Sequence, residues 1–262
     1  MQQFNELTGM YDQVVIAVLV FTRIVTMFFL APVFGNDSIP PSVKGAASIV
    51  ITVLLYPVLA RPESLAVPVD LVPLLFLILK EIGIGVAIGM AGNISLTVIQ
   101  FAGYQVGRLM ALQEGGIIDP LFNESIDAVA QLQFILFMLI FLLLNGHHFI
   151  ISLIAKSFDI VPIGGFTVSG ALIEKLIMMM DELFALGIKF TAPIMALLLI
   201  ATVAFGILGK AIPEMNLLIL MLPLKISIGL LGLIVISPYM INFIYMLIQN
   251  FYRDLEAILH LV

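Results

Sequence analysis

Residues 71–102 read LVPLLFLILKEIGIGVAIGMAGNISLTVIQFA, about 32 residues in which Lys80 and Glu81 are the only charges. A bilayer's hydrocarbon core is crossed by about 20 helical residues, whereas a straight helix of this length would extend roughly 48 Å. The stretch therefore reads as a membrane-type helix that overshoots the core, bends or breaks, with Gly83, Gly85, Gly89 and Gly92 as available breakers. Further apolar runs occupy 14–34, 43–60, 128–154, 183–208 and 217–248. The last is again about 32 residues long and holds Pro223, Gly229, Gly232 and Pro238. The composition agrees, with 62% hydrophobic and 11% charged residues, where soluble domains run near 45–50% and about 25%. An ordinary cytosolic enzyme, a disordered protein and a nucleic-acid binder are excluded. A net charge of −6 without clustered Lys and Arg gives no phosphate-binding surface. No cysteine is present, which removes disulfides, thiol catalysis and thiolate metal sites. The first 13 residues lack a basic n-region, so the first apolar run is expected to be mature protein.

The charges carry the next inference. Lys and Arg fall singly along the chain, so the positive-inside rule assigns no orientation. Arg23, Lys80, Glu81, Lys189 and Lys225 lie inside apolar runs, where a charge is expensive unless it faces protein or water. Adjacent residues on a helix point about 100° apart, so Lys80 and Glu81 each need a partner elsewhere. Two readings follow: an ion-coupled transporter using Arg23, Lys80 and Glu81, or a subunit whose helices are covered by other subunits.

Asn93, Thr97, Gln100, Tyr104 and Arg108 are spaced 4, 3, 4 and 4 apart and share one helical face. Glu124, Asp127 and Gln131 repeat the device. Between the stripes lie Met110, Leu112, Gln113, Glu114, Gly115, Gly116, Ile117, Ile118 and Asp119-Pro120, whose paired glycines and proline forbid a continuous helix. The stripes suit the wall of an aqueous passage with the loop inside it, and equally suit hydrogen bonding between helices. Gly85 with Gly89, and Gly103 with Gly107, form small-xxx-small patterns that permit close helix packing. His147-His148 are consecutive and lack both a third ligand and i,i+4 spacing, so a polar helix end outweighs a zinc site. No nucleophile elbow or phosphate loop is present; neither an enzyme nor a cofactor is expected.

Taken in order, Arg23, Ala31-Pro32, Ile39-Pro40, Val43-Lys44, Glu81, Gly85, Gly89, Ala102-Gly103, Gly107, Asp119-Pro120, Asn145-Gly146-His147-His148, Ser157-Phe158, Pro162, Ala192-Pro193, Pro213 and Asn216 form a pattern over nearly the whole chain. This pattern resembles the FliR family, the single-copy subunit of the flagellar type III export gate, with the injectisome counterpart sharing part of it. The resemblance implies an all-α fold of membrane-type helical hairpins packed in a multi-subunit helical assembly. It implies five FliP-like and four FliQ-like partner chains, other export-gate subunits, exported unfolded polypeptides and membrane lipid as partners. It implies a FliP-like part at 1–168 with a plug loop at 109–119, and a FliQ-like C-terminal hairpin at 169–262 turning at 210–216. The implied location is the bacterial inner membrane at the flagellar basal body.

Overall fold

The computed structural model describes residues 2–31, 34–35, 39–59, 67–68, 70–111, 128–212 and 217–261, and among them it contains helices and no strand. The helices are α1 (Gln2–Leu30), α2 (Pro41–Leu55), α3 (Leu71–Leu109), α4 (Ala128–Leu143), α5 (Gly146–Ile160), α6 (Gly170–Ala211) and α7 (Leu217–Leu261). Four are long and apolar enough to cross a membrane: α1 from Gly9, α3, α6 and α7 from Leu220. The fold is all-α and of membrane type. The long apolar runs do not break at their glycines, since α3, α6 and α7 are continuous over 39, 42 and 45 residues.

The break falls elsewhere. The 128–154 run is interrupted at Leu144-Asn145, where Asn145 takes a left-handed conformation with φ 57°. Asn tolerates that region because its short amide can bond locally, and α5 starts at Gly146 immediately after. Prolines inside α6 and α7 are accommodated without a stop. Pro238 has no N–H to give the carbonyl of Ile234, four residues earlier. The Ser237 hydroxyl donates to that carbonyl at 2.9 Å. A side-chain hydroxyl thus takes the place of the missing N–H donor.

The chain forms two compact units. The first gathers residues 1–94, 145–179 and 250–262. Its buried side chains include Leu19, Val20, Ile24 and Met27 of α1, Ile84 and Ile88 of α3, Ile150 and Ile154 of α5, and Leu255 and Ile258 of α7. Spacings of three and four place each set on one helical face. The second unit gathers 95–144 and 180–249. Its core joins Val106 and Met110 of α3, Val129 of α4, and Ile194 and Leu198 of α6, with Ile226, Leu233 and Ile236 of α7 packed against them.

Within the first unit, α2 is inside out. Pro41 at its first turn fits the helix because its φ is pre-set and the missing N–H is an orphan there anyway. Its buried residues are Lys44, Ser48 and Thr52, four apart, while Val43, Ile49, Val50, Val53 and Leu54 are exposed. The buried polar atoms are satisfied locally. Lys44 Nζ donates to the Gly35 carbonyl at 3.0 Å, Ser48 Oγ to the Lys44 carbonyl and Thr52 Oγ1 to the Ser48 carbonyl. In water this arrangement would be unstable; it suits an apolar exterior.

Candidate functional site

Two places in the chain concentrate polar chemistry. The first lies in the first unit, where α1, α3 and α5 converge. Arg23 and Glu81 are both fully buried, and Arg23 Nε donates to Glu81 Oε2 at 2.6 Å. Arg23 Nη1 donates to the carbonyls of Ser157 and Val161, each at 3.0 Å. Those carbonyls lie at and just past the end of α5, where the macrodipole favours a cation; the Ser157 oxygen also accepts from the Val161 N–H at 3.0 Å. The guanidinium also lies over the Phe158 ring, 4.1 Å from its centroid. Glu81 Oε1 accepts from the Gly164 N–H at 2.8 Å, and Lys80 Nζ donates to the Gly164 carbonyl at 2.9 Å. Lys80 is half-buried rather than enclosed. Arg23 Nη2 is buried and has no hydrogen-bond partner.

The neighbourhood is tight because its glycines leave no room. A Cβ at Gly85 would lie 2.8 Å from Thr26 Cβ and 2.9 Å from the Arg23 carbonyl, so α1 and α3 approach at backbone distance there. Leu30 occupies the space beside Gly89. Gly164, at φ 79°, needs the left-handed freedom of glycine to present both its N–H and its carbonyl to α3. The same unit contains ion pairs that sequence reading did not single out. Lys175 Nζ lies 2.8 Å from the buried Asp254 Oδ1, and Lys156 pairs with Glu256 and donates to Tyr252 Oη at 2.6 Å. These carboxylates sit near the charged end of α7, where burial leaves no mark in composition.

The second place lies along α3. Thr97, Gln100, Tyr104 and Arg108 are all exposed in the second unit, and Asn93 is exposed at the end of the first unit's share of the helix. Arg108 reaches over the Tyr104 ring, 5.7 Å from its centroid. Between them Ile94, Val98, Ile99 and Val106 are buried. Gln131 of α4 is exposed too, whereas Gln133, which sequence reading passed over, is buried. At Gly103 a Cβ would stand 2.6 Å from Ala130 Cα, so α3 and α4 touch backbone to backbone; Gly107 is buried. Met110 is fully buried and packs beside Gly229 of α7. The remaining loop residues Leu112, Gln113, Glu114, Gly115, Gly116, Ile117 and Ile118 lie outside the described residues, as do Glu124, Asp127 and the turn at 213–216. Lys225 is buried on α7.

Among the described residues no group of three or more His, Asp or Glu is placed to hold a metal. The His147 and His148 rings lie with centroids 4.2 Å apart, tilted by 40°, and His147 Nδ1 is buried without a partner. What the two places have in common is an all-helical scaffold, apolar outside and selectively polar along one face. That defines the class: an all-α protein of membrane type.

Residues 14–251 match the family described as bacterial export proteins, family 1. The chain belongs to that family, in its FliR branch. It is similar to the flagellar biosynthetic protein FliR of Escherichia coli (strain K12), 27% identical over 237 residues that cover 90% of each chain. The FliR of Pectobacterium carotovorum subsp. carotovorum is 29% identical over 218 residues, covering 83% of this chain and 82% of that one. The FliR of Aquifex aeolicus (strain VF5) is 28% identical over 242 residues and 91% of each. Membership makes the protein a component of the flagellar export apparatus, and its four apolar helices suit an inner-membrane location.

Proposed function

We propose that the chain is a pore-forming structural subunit of the flagellar type III export gate, with the 109–119 loop plugging the channel at rest. The observation that supports this best is the exposed polar stripe of α3. Most large exposed side chains are apolar, as α6 and α7 show at Ile200, Val203, Ile207, Leu231 and Ile234. Such a surface belongs against lipid or a partner helix. A face carrying Gln100, Tyr104 and Arg108 does not, because exposed amide, hydroxyl and guanidinium groups are costly in hydrocarbon. Water in a passage satisfies them. In this reading the subunit joins five FliP-like and four FliQ-like chains at the flagellar basal body. Residues 1–168 correspond to a FliP-like part and 169–262 to a FliQ-like hairpin, a division by kinship and not by compactness. The loop's apolar bulk at Met110, Leu112, Ile117 and Ile118 excludes water, and Gly115-Gly116 lets it be displaced.

The carrier reading has less support. Arg23 and Glu81 neutralise each other at 2.6 Å, and the charge that stays uncompensated in that node is the Lys80 ammonium, which binds a backbone carbonyl and leaves no carboxylate free to hold a transported cation. The experiment that tests the pore reading is deletion of residues 111–116. Resting cells should become permeable to protons and salt while the subunits still assemble. Unchanged conductance with assembly preserved would remove the plug from the account.

A further inference from the structure

The exposed face of α3 in the second unit ends on a charge. Among the described residues between 95 and 144, Arg108 is the only charged side chain. It is exposed, it stands in the last turn of α3, and it joins no ion pair among the described residues. The guanidinium carbon lies 5.7 Å from the centre of the Tyr104 ring, one turn earlier. A carboxylate partner would cancel the charge, whereas an aromatic ring holds the guanidinium and leaves the charge in place. The macrodipole at this end of α3 likewise favours a cation without neutralising it. Gln100, one turn further back, is exposed and uncharged on the same face. Behind that face Val98, Ile99 and Val106 are buried, so the backing is apolar. Arg23, by contrast, is enclosed and paired with Glu81.

We infer that Arg108 is a cation barrier, which makes the passage favour anions over sodium ions and protons whenever the plug is displaced. This rests on the pore reading and gives that passage a sign. A passage that admits every kind of side chain cannot fit each one closely. Shape alone therefore does not stop ions beside a moving polypeptide, but a fixed charge acts across the gap. Its reach is a Debye length, about 8 Å at physiological salt. Low-dielectric walls concentrate the field, so counter-ions gather and ions of like sign are kept out. Arginines exclude cations from other water-filled pores in this way.

The test leaves the gate in place, in de-energised resting cells whose chain lacks residues 111–116. Uptake of radioactive chloride and sodium, above the level of cells with the intact loop, gives a chloride-to-sodium ratio. In that background R108Q should lower the ratio about tenfold, the low end of the counter-ion enrichment that a charged cleft produces. R108K should keep it near the arginine value, and R108E should take it below R108Q. Every other charge is common to the cells compared, so the comparison isolates position 108. If R108E does not assemble, R108Q and R108K decide alone. An R108Q ratio equal to that with arginine overturns the inference and leaves the pore reading standing. An assembled gate that passes neither ion overturns both.

Discussion

Arg23 and Glu81 stand 58 positions apart in the chain, and among the described residues each is the other's only ion-pair partner. Removing one member of a buried pair strands the other, at a penalty of about 3–5 kcal/mol. Glu81→Ala should therefore lower the yield of folded protein and its thermal midpoint in detergent. The paired change Arg23→Met with Glu81→Leu should recover part of that loss, since a matched apolar pair is often neutral. Recovery stays partial because the Gly164 N–H also loses its acceptor. Lys80→Met should do less harm, since Lys80 is half-buried and its partner, the Gly164 carbonyl, is neutral, so no charge is stranded. A double change no better than Glu81→Ala would contradict this account. The charges themselves were legible, because an ionised group inside an apolar run needs a partner. The identity of the partner was not. It depends on Gly164 turning back onto α3 and on the end of α5 arriving beside Arg23, and neither leaves a periodicity to read.

At the scale of single helices, two expectations separate local chemistry from packing. Ser237→Ala removes the donor that serves the Ile234 carbonyl left open by Pro238, and should lower stability by about 1 kcal/mol. Adding Pro238→Ala should abolish that sensitivity, because the backbone N–H returns; circular-dichroism melts of the four combinations check the coupling. Gly103→Val drives a side chain into the Ala130 backbone and should separate α3 from α4, with a clear loss of folded yield. Gly206→Ala meets nothing within 4 Å and should raise the melting point, since alanine stabilises a helix interior by roughly 0.5–1 kcal/mol over glycine. The helical class and the extent of the apolar runs could be read from hydropathy alone. Their continuity could not. Glycines and prolines mark where a helix is permitted to break, yet α3 and α7 run on unbroken through Gly85, Gly103 and Gly229, where neighbouring atoms fill the space a side chain would take. The interruption of the 128–154 run hinges on Asn145, a weaker signal than a glycine cluster.

For the whole molecule, the decisive quantity is how little of its apolar surface it covers by itself. In the most apolar windows of α6 and of α7 only 11% of residues are buried within the chain. The protein should accordingly be recovered intact when produced with FliP-like and FliQ-like partners, and degraded or aggregated without them. Native mass spectrometry of the co-produced complex and a protease time course check this, and equal protease resistance of the lone chain would refute it. The inverted helix α2 sharpens the point. Val50, Val53 and Leu54 face outward there while Lys44 is tucked in, so no rearrangement of the helix alone presents a wettable surface. A newly made chain that has found neither bilayer nor companions displays this side to chaperones and proteases that recognise exposed apolar segments. Through α2 the subunit advertises its own incompleteness, and assembly is what silences the signal.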